Sequence, residues 1–157
     1  SASGNAWFIA KPIIVKNADE EIAALSDFTP NEKVIIDQRF ASFVEDSNYN
    51  IDGSSIGLDI YKPNYLKYTS QTQFPALAVF SEIYYKDGWS VYIDGEKSDY
   101  FRANYVLRAM QVPAGNHTIE FKFEPKVYEI GEGVSLASSI ILILLLVFVS
   151  FKELKQE

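Results

Sequence analysis

Six residues of this chain could do chemistry together: Tyr84, Tyr85, Trp89, Arg102, Asn104 and Tyr105. A flat aromatic ring stacks on the apolar face of a sugar, and a nearby guanidinium or amide hydrogen-bonds the hydroxyls around its edge. The stretch EIYYKDGWSVYIDGE, with the FRANY run just downstream, therefore fits an exposed carbohydrate-binding platform. The competing reading is a small β-domain whose rings fill its own core. Trp89, Tyr92 and Phe101 fit core filling better, because a Trp placed directly after Gly88 at a strand start usually anchors a core. Tyr84, Tyr85 and Tyr105 fit a boundary position with the hydroxyl wet. The stretch reads as mainly core, with its tyrosines as the part that reaches a ligand.

A second pair is structural in character. Glu82 lies in the apolar run AVFSEIYY and Arg108 in VLRAMQV. A charge inside an apolar strand needs a partner, so a Glu82–Arg108 ion pair across neighbouring strands is expected.

Other chemistries are excluded or unsupported. The chain has no Cys, which removes thiol catalysis, disulfides and cysteine metal sites. Its single His, His117, rules out histidine-cluster metal sites and a conventional nucleophile–histidine relay, unless that one residue serves. Asp52 lacks the spacing of a calcium loop and Asp94-Gly95 reads as a hairpin turn, so no metal and no cofactor are expected. The acids are scattered and no pair stands out as catalytic. A net charge of −7 argues against nucleic acid.

The elements that must position these residues are mostly strands. Short strands are predicted over residues 7–9, 12–15 and 33–37, with one helix over 18–26 capped by Asn17 and Glu20. Residues 45–55 are polar and turn-rich, and read as a mobile loop. From residue 56 onward the pattern is wholly β, with strands over 56–61, 65–70, 76–85, 90–93, 105–112 and 118–123. Ile119, Phe121 and Phe123 alternate with Glu120, Lys122 and Glu124, so the last strand has one buried face. The strand over 76–85 has no clean polar face and reads as central, covered on both sides. The fold class is mainly β, a β-sandwich or jelly-roll-like domain with one short helix.

Residues 133–151 (GVSLASSIILILLLVFVSF) carry no charge and are about long enough to span a bilayer. They predict a single C-terminal transmembrane helix over 132–151. Lys152 and Lys155 follow it, which places the 152–157 tail in the cytoplasm and residues 1–131 on the extracytoplasmic side. The chain opens on Ser1, and reads as processed or as a piece of a longer polypeptide.

The combination Gly88-Trp89, Asp94-Gly95, Arg102-x-Asn104-Tyr105, Pro113-Ala114-Gly115-x-His117 and Phe121-x-Phe123-x-Pro125, ahead of an apolar helix, resembles the C-terminal end of the bacterial YfhO family. The upstream GNAWFI and NADEEIAAL elements resemble its Bacteroidetes version. The resemblance covers nearly the whole chain and is weakest over 45–55. It implies a polytopic protein of the cytoplasmic (inner) membrane with a glycosyltransferase architecture of the GT-C type. Such proteins use lipid-linked sugars in cell-envelope glycan assembly. Their catalytic carboxylate lies in an early extracytoplasmic loop that is absent here, so no catalytic residue carries over. By resemblance, this piece is a non-catalytic accessory domain. Its partners would be the remaining transmembrane helices of the same polypeptide, the lipid bilayer and a glycan acceptor. Two other roles stand beside it: a carbohydrate-binding module, and a structural partner in an envelope complex.

Overall fold

The computed structural model describes residues 4–27, 29–30 and 32–154. The chain divides into two units, Ser1–Phe123 and Glu124–Glu157.

The first unit is built mainly of antiparallel sheets. β1 (Ala6–Ile9), β6 (Ala76–Ile83), β10 (Leu107–Val112) and β9 (Phe101–Ala103) form a four-stranded sheet in the order β1-β6-β10-β9. A five-stranded sheet has the order β4-β5-β11-β7-β8. Its members are β4 (Ser55–Lys62), β5 (Tyr65–Thr72), β11 (Gly115–Phe123), β7 (Trp89–Ile93) and β8 (Glu96–Ser98). Phe8, Ala78, Phe80 and Met110 from the first sheet meet Leu66, Tyr68, Val91, Ile119 and Phe121 from the second in one buried cluster. The alternation along β11 produces this directly, since Ile119 and Phe121 are buried between Glu120 and Lys122.

A third layer was not expected. β2 (Lys11–Val15) and β3 (Lys33–Asp37) pair in parallel, joined by α1 (Ala18–Ala24). A 3-10 helix, Gln38–Phe43, follows β3 and was also unpredicted. Val34 and Ile36 of β3, with Tyr49, pack on Ile9, Leu77, Val79, Phe101 and Ala109, the other face of the first sheet. β6 is therefore covered on both sides, and Ala76–Phe80 are all fully buried. This explains why its sequence has no polar face.

Two expected strand bounds differ. The strand over 76–85 ends at Ile83, and the one expected from Tyr105 starts at Leu107. Asn104 and Tyr105 instead form a turn with φ of 47° and 68°, in the left-handed region that non-glycine residues seldom occupy. The expected helix over 18–26 becomes α1 followed by a 3-10 turn, Leu25–Asp27. Asn17 caps α1 as predicted, its side chain accepting from Glu20 N at 3.0 Å.

The second unit holds α2 (Lys126–Leu154). Its described side chains from Val134 to Val147 are exposed. Among the described residues, no helix is long and apolar enough to cross a membrane.

Candidate functional site

Three of the six singled-out residues, Tyr84, Arg102 and Tyr105, line one open groove of about 440 Å³. Arg39, Phe40, Ile83 and Val106 line it with them. Tyr84 follows the end of β6, and its N–H donates to Val106 O at 2.7 Å, which holds the ring just past the sheet edge. Phe40, in the 3-10 helix after β3, meets the Tyr84 ring edge-on at 5.9 Å between centroids. The Arg102 guanidinium lies 5.7 Å from the Phe40 ring centre and 5.2 Å from that of Tyr105. Both distances are within cation–π range.

Under the groove lies a buried ionic cluster that the sequence did not suggest. Glu21 on α1 is fully buried, while its neighbour Ile22 is exposed. The Glu21 carboxylate accepts from Arg102 Nη2 at 2.7 Å and from the backbone N–H of Tyr105 at 2.7 Å. Asp37, also buried, is gripped by Arg39 through Nε at 3.0 Å and Nη2 at 2.7 Å, and it lies 3.6 Å from Arg102. Burial pushes the Glu21 pKa up, opposed by the Tyr105 N–H and the Arg102 charge. Hydrogen bonds from Arg39 hold Asp37 down at about 2. Both carboxylates are buried, and both arginines line the groove.

Asn104 is buried and positions the groove from behind. Its Oδ1 accepts from Ile35 N at 2.8 Å and its own N–H donates to Ile35 O at 2.8 Å. One residue in a left-handed conformation thus satisfies both backbone groups of Ile35 and joins the first sheet to the third layer. Asn104 Nδ2 and Arg102 Nε are buried without a hydrogen-bond partner.

Tyr85 and Trp89 do not line the groove. The Tyr85 ring is exposed, and its carbonyl accepts from the Tyr100 hydroxyl at 2.7 Å. Trp89 packs on Phe123, with ring centroids 5.4 Å apart, and carries the Arg108 guanidinium 4.4 Å from its ring centre. Gly88 beside it has no room for a Cβ, which would collide with the Phe123 ring. The Gly-Trp step is a packing feature.

The expected Glu82–Arg108 ion pair is not among those of the described residues. A bulge between Leu107 and Arg108 sets Arg108 opposite Phe80, and its Nε donates to Ile83 O at 2.9 Å. Arg108 is held by a carbonyl and two ring faces, those of Trp89 and Phe121, with Glu82 acting on it only from a distance. Burial lowers its pKa.

Sequence reasoning missed Glu21, Asp37, Arg39 and Phe40. No local pattern marks them: Glu21 is one of three acids in the first turn of α1, and which of them turns inward shows only in the fold. Among the described residues, no group of acids and histidine could hold a metal ion.

Residues 52–135 match the family model described as bacterial membrane protein YfhO. The match takes in β4 through β11, and with them Tyr84, Arg102 and Tyr105, while Glu21, Asp37 and Phe40 precede it. No curated protein and no solved structure matches the chain. The matched segment is more than half of the chain, and the chain belongs to the family of the bacterial membrane protein YfhO.

Proposed function

We propose that this chain is the C-terminal accessory part of a polytopic membrane protein of cell-envelope glycan assembly, with the groove as a contact site for glycan. The observation that carries the reading is the convergence of Tyr84, Tyr105, Phe40 and Arg102 on one open groove. Rings for stacking and a guanidinium for hydroxyl groups are what sugar recognition requires. The catalytic centre lies outside this chain on this reading. GT-C chemistry and lipid-linked donors belong to the rest of the polypeptide.

The reading also takes α2 as membrane-spanning over 132–151, packed against the remaining helices of the protein. Residues 1–131 are then extracytoplasmic and Lys152 and Lys155 cytoplasmic. In support, the sequence run 133–151, which extends beyond the described side chains, carries no charge and would be about 28 Å long as one helix, close to the ~30 Å hydrocarbon thickness. Its described Ile, Leu and Val side chains are exposed on every side.

A second reading, a protein-docking role in an envelope complex, is favoured by Ile83, Tyr85 and Val106, which are all exposed close to the groove. The experiment is a glycan-binding screen of the whole chain in phosphatidylcholine nanodiscs. Saturable binding that weakens at least tenfold in Tyr105→Ala is the expected result. A folded sample that binds no glycan overturns the sugar reading in favour of docking.

A further inference from the structure

The groove's hydrogen-bonding inventory is lopsided. Among the described residues its polar lining is Arg39, Arg102 and two phenols, with no carboxylate and no amide. Arginine only donates, and a phenol both donates and accepts weakly. A neutral sugar's hydroxyls each bring a donor hydrogen as well as acceptor lone pairs, and among the described lining side chains the two phenols alone can accept those hydrogens. An acceptor-rich group suits these walls better.

The charge arrangement points the same way. Over the whole chain acids outnumber bases, 21 to 14. At the groove the two signs are equal in number but not in position: Glu21 and Asp37 are buried, while Arg39 and Arg102 line the groove. Their guanidinium carbons lie 5.9 and 5.7 Å from the centre of the same Phe40 ring, so a ligand on that ring meets both cations. Arg39 already spends its Nε–Nη2 edge on Asp37, and Arg102 gives one N–H, from Nη2, to Glu21. The two acids balance the two cations, so the cluster can take one added negative charge with less repulsion than two. The edges left over suit a planar carboxylate, which accepts in the plane of a guanidinium fork.

We propose, building on the sugar-binding reading above, that the groove selects a carboxylate-bearing sugar, a uronate, with its carboxylate on Arg39 and Arg102 and its ring against Phe40 and Tyr105. The acid would be one residue of a longer glycan, since the groove is open.

The test is titration calorimetry on the full chain in phosphatidylcholine nanodiscs. The probes are a glucuronate-terminated disaccharide, its glucose-terminated counterpart and glycerol phosphodiester. The expected result is at least tenfold tighter binding of the glucuronate form at low salt, narrowing in 0.5 M NaCl. Arg39→Gln should erase that preference, and Arg39→Lys, which keeps the charge and loses the fork, should restore part of it. Thermal melts of both variants identify any that fails to fold, and the salt dependence in the unaltered chain tests the inference without them. Equal binding of the two disaccharides overturns the uronate inference and leaves the sugar reading standing. Equal competition by glycerol phosphodiester overturns the assignment to carboxylate. Binding of neither disaccharide overturns both readings.

Discussion

Two buried clusters lie on opposite faces of the β1-β6-β10-β9 sheet, and they are held by different physics. On one face Tyr68, Phe80 and Phe121 pack edge to face, with centroids 4.9 to 6.2 Å apart. On the other, apolar packing around Phe101 gives way at the groove to Glu21, Asp37 and Arg102, bound through hydrogen bonds of fixed geometry. The first cluster rests mainly on filled volume, because burial is non-directional. The second is more exacting, because its buried charges depend on a few directed partners, Arg102 and the Tyr105 N–H for Glu21 and Arg39 for Asp37. A domain can thus keep a robust sandwich while its groove depends on a few exact contacts.

The largest effect should come from the aromatic side. Phe80 is fully buried and touches both Tyr68 and Phe121. Phe80→Ala is expected to cost about 3–5 kcal/mol in urea unfolding. A loss under about 1.5 kcal/mol would mean that the sandwich can collapse around the gap, and the contrast between the clusters would weaken.

Glu21→Ala should come next and fail in a different way. Breaking a wholly buried pair costs about 3–5 kcal/mol, and Arg102 keeps partial contact with water, so roughly 2–3 kcal/mol is expected. The loss should be local: trypsin should cut at Lys16 and Lys33, either side of α1, faster than in the unaltered chain. Phe80→Ala should instead expose sites throughout. If both variants gave the same cleavage pattern, the groove layer would be unfolding together with the sandwich.

Asn104 separates the two kinds of cost at a single position. Asn104→Ala removes the acceptor for the buried Ile35 N–H and places Ala at φ 47°, for a loss of about 1–3 kcal/mol. Asn104→Gly loses the same bond in a conformation that glycine adopts freely, and should cost less. Equal losses would show that the left-handed turn contributes no strain.

The same contrast explains what could be read in the sequence. The strands of the sandwich follow from period-two alternation and turn residues, both local signals. Asp94-Gly95 illustrates this, with φ of 51° and 88° in a two-residue hairpin between β7 and β8. Arg102 and Tyr105 were legible as candidates because their types suit a ligand. Their partners were not, since Glu21 lies 81 residues from Arg102 in sequence and looks like one of three acids in a first helical turn. The Glu82–Arg108 expectation failed for a related reason: a bulge changes which residues face each other, and no pattern in VLRAMQV announces one. Phe40 was hidden in a 3-10 helix too short to show a period.

The smallest expected effect is pH-dependent and belongs to the sandwich side. His117 at the start of β11 sets Nδ1 2.6 Å from Asp94 Oδ2 and Nε2 3.1 Å from Ala114 O. Both partners accept, so both ring nitrogens donate and the contact favours the imidazolium. The Asp94 hydrogen bond raises the His117 pKa, and the His117 hydrogen bond lowers that of Asp94. A raised histidine pKa gives stability that is complete below the unfolded value, about 6.5, and is lost as pH rises through the folded one. A lowered aspartate pKa gives stability present above about 3.9 and lost as pH falls toward the folded value. The clamp between the β7–β8 and β10–β11 turns is therefore fullest between about pH 4 and 6.5. The melting temperature of the chain should fall by a small amount between pH 6 and 8, and His117→Gln should flatten that slope. Because Asp94 is half exposed, the slope should also shrink in high salt. An unchanged slope in His117→Gln would move the pH dependence away from this clamp.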